Sequence, residues 1–201
     1  MEWLLNHNEK IIIVACNTAT TNAITELRNS YNVPIIGIEP AIKPAAAHTQ
    51  TGKVGVLATQ GTLNSKKYEQ AQSLYPNVEF INQIGFRIVQ LIEDGKLYSE
   101  ELELLLRSYI DPMIEKDIDY LVLGCTHYPY LVPILNNFLP KHIQVIDSGD
   151  AVAKHTFKIL SEANLLKTDK QTGYSKFYTN KDVAILQSFI GDYGIAEKLD
   201  F

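Results

Sequence analysis

The two cysteines of the chain lie in the same kind of local sequence. Cys16 follows the apolar run 11–15, and Cys125 follows the largely apolar run 120–124. The polar residues after them are Asn17 and Thr18 in the first stretch, and Thr126 and His127 in the second. A thiol at a turn from strand to helix lies near the positive end of the helix dipole, which lowers its pKa from about 8.5. Both positions therefore predict reactive thiols rather than the small buried hydrophobes that free cysteines often are.

Two chemistries fit this pair of thiols. One cysteine with His127 as its base is the arrangement of a thiol hydrolase or acyltransferase. Two opposed thiols instead suit proton transfer, because a thiolate can remove a proton from one face of a substrate while a thiol delivers one to the other face. The second arrangement inverts a stereocentre. The long separation of the cysteines in the chain argues against a thioredoxin-type redox pair.

Metal and nucleotide sites are not supported by the sequence. Cys16, Cys125 and His127 lack the fourth ligand of a structural zinc site, so no metal is predicted. The glycine patterns that bind nucleotide phosphates are absent, so no cofactor is predicted. Ser148 is expected to cap the helix that follows it.

Composition and charge restrict the class of protein. The chain has 201 residues, 46% of them hydrophobic, a net charge of −5 and a pI near 5.5. A mildly acidic chain has no general attraction for nucleic acid or anionic lipid. No apolar run reaches the roughly 18 residues that span a bilayer, and the start does not resemble a signal peptide. We therefore expect a cytoplasmic protein with reduced thiols, no nucleic-acid partner and no membrane partner.

Short β-branched runs alternate with helical patterns along the chain. The predicted strands are 11–15, 33–38, 54–58, 78–81, 121–124, 143–146 and 176–178. The predicted helices are 19–31, 41–49, 65–74, 84–93, 99–115, 130–138, 151–162 and 183–190, with a linker at 164–172. This alternation predicts a doubly wound α/β fold with parallel sheets, in which ligands bind at the carboxyl ends of strands. Cys16, Thr59, Cys125 and Asp147 all lie at such ends.

The two cysteine stretches, 15–20 and 123–129, closely resemble those of glutamate racemase, in the aspartate/glutamate racemase family. Residues 34–40 and 52–62 share the resemblance, which extends in order over nearly the whole chain. It implies a cofactor-independent isomerase that interconverts L- and D-glutamate and supplies D-glutamate for peptidoglycan, and hence for cell-wall biogenesis and cell shape. It also implies two α/β domains with the active site in the cleft between them. The expected domains are 1–39 with 147–201, and 40–146.

The resemblance implies a role for each residue of these motifs. The catalytic residues are expected to be Cys16 and Cys125 as acid/base thiols, His127 as an assistant of Cys125 or a substrate ligand, and Glu93 as an assisting carboxylate. The substrate-binding residues are expected to be Asn17, Thr18, Thr126 and His127. Glu93 has the other interpretation of an ordinary exposed residue at a helix end, because residues 85–90 depart from the family's pattern.

The start of the chain also departs from the family. Family members begin with a strand ending in Asp-Ser-Gly and carry a Pro-Tyr-Gly segment, and neither precedes Ile11. About two βα units, on the order of sixty residues, are expected to be absent, which would leave the first domain incomplete. The exposed sheet edge would invite pairing with another chain, such as a homodimer. The hypotheses are thus a glutamate racemase, an inactive fragment that binds a small amino acid or a partner chain, and a Cys-His hydrolase.

Overall fold

The computed structural model of the protein describes residues 1–167 and 173–200. Residues 168–172 of the predicted linker lie outside this range. Within it, no helix combines the length and the apolar character that crossing a membrane would require.

The order of elements follows the predicted alternation of strand and helix. The strands are β1 Ile12–Val14, β2 Ile35–Gly37, β3 Lys53–Ala58, β4 Glu79–Ile84, β5 Tyr120–Gly124, β6 Gln144–Ile146, β7 Phe177–Thr179 and β8 Ala196–Lys198. The helices are α1 Glu2–Leu5, α2 Asn17–Ser30, α3 Ile42–His48, α4 Gln60–Leu63, α5 Lys66–Ser73, α6 Ile88–Glu93, α7 Glu100–Ile114, α8 Val132–Leu135, α9 Gly149–Glu162 and α10 Val183–Ile190. Short 3₁₀ helices cover Tyr128–Leu131 and Gly191–Tyr193.

The largest sheet is parallel throughout and has the strand order β4-β3-β5-β6. Its central strand β3 is covered on both faces. Val54 and Val56 belong to one apolar cluster with α3 and α5, whereas Leu57 belongs to the other with α6 and α7. Both clusters exclude water, which explains why β3 and β5 are nearly continuous apolar runs rather than alternating ones.

A second parallel sheet pairs β1 with β2, placing Ile12 opposite Ile35. Helix α2 packs on one side of it through Ile24, which is buried, while Ile13 on the other side is exposed. Strands β7 and β8 form a third, two-stranded parallel sheet near the end of the chain. The fold is therefore of the parallel α/β class, as the sequence predicts.

Several details differ from the sequence-based expectations. The helix predicted over 130–138 is a 3₁₀ helix at Tyr128–Leu131 followed by α8, and the last strand, β8, is not predicted from the sequence. The segment predicted as one helix over 84–93 is divided, because β4 runs on to Ile84, which pairs with Ala58, and α6 begins only at Ile88. Between them Gly85 lies so close to the Tyr128 ring that a side chain there would clash. Ser148 occupies the N-cap position of α9, but its hydroxyl donates to the Glu39 carbonyl and caps nothing.

Helix α7 offers a matched test of the core. Leu106 is 0% exposed in the cluster under the sheet, whereas Leu104 on the same helix is 60% exposed. Leu106→Ala should lower the free energy of unfolding by about 2–5 kcal/mol because it leaves a cavity. Leu104→Ala should change it by less than about 0.5 kcal/mol. Urea denaturation measures both, and equal losses would contradict this packing.

Candidate active site

Cys16 is the exposed thiol of the pair. It lies two residues beyond β1 and is the N-cap of α2, where its Sγ accepts a hydrogen bond from the Ala19 amide at 3.4 Å. The fold thus puts the sulfur at the positive end of α2, open to solvent, in the place that the sequence predicts.

Cys125 follows β5 directly and is only 8% exposed. Burial raises the pKa of its thiol, and the neighbouring Cys16 and Glu93 act in the same direction. The expectation that a helix terminus would lower this pKa is therefore wrong for Cys125, because desolvation of the thiolate outweighs the backbone N–H groups that favour it. Near neutral pH Cys125 is held as a thiol.

The two cysteines line the same cavity, which has a volume of about 250 Å³. Cys16 reaches it from the β1–β2 sheet and Cys125 from the large sheet. The remaining lining residues are Ala15, Asn17, Thr18, Thr59, Val89, Gly124, Thr126 and His127. The carboxyl ends of strands from two sheets thus meet at one space large enough for a small substrate.

Asn17, which lines this space, carries an unsatisfied acceptor. It is 4% exposed, and its Oδ1 has no hydrogen-bond partner among the described residues. It also lines an adjoining cavity of about 160 Å³, as does Thr126. A buried carbonyl oxygen without a donor is costly, so this atom is suited to accept a hydrogen bond from a bound ligand.

Thr18 has a second role that the sequence does not reveal. Its hydroxyl lies 2.7 Å from the Thr59 hydroxyl and 3.1 Å from that of Thr62, which are themselves 3.0 Å apart. The three oxygens form a cluster between the start of α2 and α4, the short helix after β3. Sequence reasoning missed Thr62, since threonine after a strand is common and nothing marks it.

Glu93 and His127 form a polar chain that leads to Cys125. His127 Nδ1 is 3.8 Å from Cys125 Sγ, and its Nε2 is 3.1 Å from Glu93 Oε1. The other carboxylate oxygen accepts a hydrogen bond from the Lys181 ammonium group. Lys181 chiefly, with help from His127, holds the pKa of the Glu93 carboxyl below its usual range. Glu93 is therefore not the ordinary exposed helix-end residue of the alternative interpretation, and Lys181 is a contact that sequence reasoning missed.

The part of the chain that the structure describes contains no cluster of three or more His, Cys, Asp or Glu side chains suited to a metal ion. The site is instead built from two thiols, an imidazole, a carboxylate and neutral hydroxyl and amide groups.

Comparison with known proteins identifies the family. Residues 3–156 match the family model described as Asp/Glu/hydantoin racemase. The chain belongs to this family. By family it is an amino-acid racemase, and its curated relatives include glutamate racemases. That of Pseudomonas putida strain F1 is 41% identical over 191 residues, covering 94% of this chain and 72% of the relative. That of Stutzerimonas stutzeri is 44% identical over 182 residues, covering 90% and 68%.

Solved racemase structures share the fold. The Escherichia coli glutamate racemase, in complex with L-glutamate and an activator, superposes with a TM-score of 0.82 at 30% identity, over 98% of this chain and 76% of that one. The Francisella tularensis glutamate racemase, in complex with D-glutamate, gives 0.79 at 28% identity, over 99% and 75%. The family members thus share the parallel α/β arrangement seen here.

The two thiols should differ in reactivity toward iodoacetamide. Because Cys16 is exposed and Cys125 is a buried thiol of raised pKa, Cys16 should be labelled at least about tenfold faster at neutral pH. Labelling of Cys125 should then accelerate about tenfold per pH unit, since the thiolate is the nucleophile. Peptide mass spectrometry measures both rates, and faster labelling of Cys125 at neutral pH would contradict this assignment.

Proposed function

We propose that the protein is a cofactor-independent glutamate racemase that uses Cys16 and Cys125 as a pair of acid/base thiols. The observation that carries the proposal is that two thiols from different sheets line one small cavity. The curated relatives and the solved neighbours bound to L- or D-glutamate support glutamate as the substrate. In this role the enzyme supplies D-glutamate for peptidoglycan. Two free cysteines support a reducing, cytoplasmic setting.

The proposed reaction is two proton transfers at the α-carbon. One cysteine, as thiolate, removes the α-proton, and the electron pair stays on carbon as a planar carbanion. The other cysteine, as thiol, then protonates the opposite face, so that the enantiomer forms and the charge passes from one sulfur to the other. The raised pKa of Cys125 favours its role as the proton donor. In the reverse direction Cys125 must act as thiolate, and His127 Nδ1, 3.8 Å away, is placed to accept its proton.

Binding of the substrate's charged groups is assigned to neutral side chains around the thiols. We assign Asn17 Oδ1 to the substrate ammonium group, because this buried acceptor otherwise has no donor within the described ranges. The hydroxyl of Thr126, which lines both adjoining cavities, is assigned to the α-carboxylate together with Thr18. The fold holds the dipoles of these side chains in place around the substrate's ammonium and carboxylate groups, so they stabilise the carbanion more than water would.

We also propose a division into two domains, 1–39 with 147–201, and 40–146. Helix α9 lies against β2, and the Trp3 ring packs edge-on against Tyr178 at 5.4 Å, which supports joining the two ends of the chain. The large sheet lies wholly within 40–146. Exposed Ile13 on the two-stranded sheet is consistent with a homodimer, as expected from the sequence.

Solvent deuterium tests the reaction. Incubated with D- or L-glutamate in heavy water, the protein should exchange the α-proton and racemise either enantiomer. Cys16→Ala and Cys125→Ala should each lower racemisation at least about a thousandfold, because removing a group that transfers protons removes the step. Proton NMR measures exchange and circular dichroism measures racemisation.

The hydrolase hypothesis makes the opposite prediction for Cys16. The contact between Cys125 and His127 alone resembles a nucleophile with its base. Ester hydrolysis that survives Cys16→Ala, without exchange of the α-proton of glutamate, would replace the racemase proposal. Binding of glutamate without exchange or hydrolysis would instead support the hypothesis of an inactive fragment that binds a small amino acid.

Asn17 and Asn22 form a matched pair on α2. Asn22 is exposed and donates to the Thr18 carbonyl at 2.8 Å, away from the cavity. Asn17→Ala should lower kcat/KM roughly tenfold to a hundredfold, because a hydrogen bond to a charged group contributes about 1.5–3 kcal/mol. Asn22→Ala should change it less than about threefold. Steady-state kinetics distinguishes them, and an unchanged kcat/KM in Asn17→Ala would remove this contact from the proposal.

A further inference from the structure

The polar chain that begins at Cys125 ends on a lysine from the far end of the sequence. Lys181 lies in the turn between β7 and α10 and donates to Glu93 Oε2, while Glu93 Oε1 faces His127. We propose that Lys181 is a positioning residue that holds the Glu93 carboxylate against His127 and so keeps the unprotonated nitrogen of that ring toward Cys125. This inference rests on the proposed function and extends it to a residue outside the cysteine motifs.

Each oxygen of the Glu93 carboxylate has its own partner. Glu93 Oε1 accepts from His127 Nε2 at 3.1 Å, so the neutral ring carries its proton on Nε2. Nδ1 is then a lone-pair acceptor 3.8 Å from Cys125 Sγ. If Glu93 turned away, either ring nitrogen of His127 could carry the proton. In the tautomer protonated on Nδ1, the ring could no longer accept a proton from Cys125.

The turn that carries Lys181 is fixed from both sides. The Lys181 amide donates to Thr179 Oγ1 at 3.0 Å, and Lys198 Nζ donates to the carbonyls of Asn180 at 2.6 Å and Lys181 at 3.0 Å. On the other side of the turn, the Phe189 ring of α10 stacks on Tyr130, with ring centroids 4.6 Å apart. The β7–β8 sheet and α10 therefore hold the backbone of Lys181 in place next to the site.

The charges around Glu93 indicate what Lys181 does. The titratable groups that face the carboxylate or share its cavity are Cys125, His127, Asp94, Lys96, Lys181 and Asp182. Of these, Lys181 lowers the pKa of Glu93 most. Its side chain is largely exposed, so the ion pair contributes little to stability and should weaken with salt. Loss of Lys181 raises the pKa of Glu93, which then loses its charge at a higher pH.

Three variants test the proposal in the racemisation assay. Lys181→Met should lower kcat about two- to fivefold, the range of exposed ion pairs. In the pH profile of kcat, the acid limb of Lys181→Met should move to higher pH because the pKa of Glu93 is higher without the lysine. Lys181→Arg keeps the charge and should restore both kcat and the pH of the acid limb. Lys158→Met, which removes an exposed lysine paired with Glu162 on α9, is the matched control and should match the wild type.

Isotope effects distinguish positioning from a general structural role. His127 contacts Cys125, so Lys181→Met should enlarge the α-deuterium isotope effect for the one enantiomer whose proton Cys125 removes. The other enantiomer should show an unchanged effect. Raising the ionic strength should slow the wild type toward the variant and leave Lys181→Met unaffected. An unchanged pH profile, or equal changes for both enantiomers, would overturn the proposal.

NMR supplies a test that needs no activity. In protein labelled with ¹³C at the glutamate carboxyls, Glu93→Gln identifies the Glu93 signal. Its titration midpoint should rise in Lys181→Met and return in Lys181→Arg. If the wild type fails to racemise glutamate, the proposed function fails while this measurement still decides the contact. An unchanged midpoint would overturn the role of Lys181 even in an active enzyme.

Discussion

Three threonine hydroxyls set the distance between the two sheets on which the site depends. Thr18 comes from the start of α2, Thr59 follows β3 and Thr62 lies in α4, with oxygens 2.7–3.1 Å apart. Each hydroxyl has one proton to donate and can accept further hydrogen bonds, so donation by Thr59 and Thr62 holds the three oxygens together and leaves the Thr18 proton for a ligand. Gly61 permits the approach, because a side chain there would meet the Thr18 methyl at 2.7 Å. This contact holds Cys16 beside the carboxyl ends of β3 and β5.

The site separates the two thiols by their surroundings. Cys16 stays exposed at a helix terminus, whereas Cys125 is desolvated beside an apolar cluster, which raises its pKa. A proton-transfer pair needs one thiol and one thiolate at each stage, and unequal environments favour that asymmetry. The chain of His127 and Glu93 gives Cys125 a nearby hydrogen-bond acceptor, which is the contact that the proposed reverse reaction uses.

The candidate site also depends on chain segments that are distant in sequence. Ser148, at the start of α9, donates to the Glu39 carbonyl after β2. Lys181 reaches Glu93 from the turn after β7. Both contacts join the last third of the chain to elements that lie much earlier in the sequence. The pocket therefore depends on the chain folding back on itself.

The class of fold and the placement of both cysteines just after strands could be predicted from the sequence. Continuous apolar runs such as 54–58 indicate buried parallel strands, and chemistry-bearing residues at their carboxyl ends are visible without coordinates. The sequence did not determine where β4 ends, because Ile84 fits both a strand alternation and a helical spacing, and only its pairing with Ala58 decides. Nor did it determine the pKa of Cys125 or the contact of Lys181 with Glu93. Desolvation and ion pairing depend on which distant segments meet, and only the tertiary structure decides that.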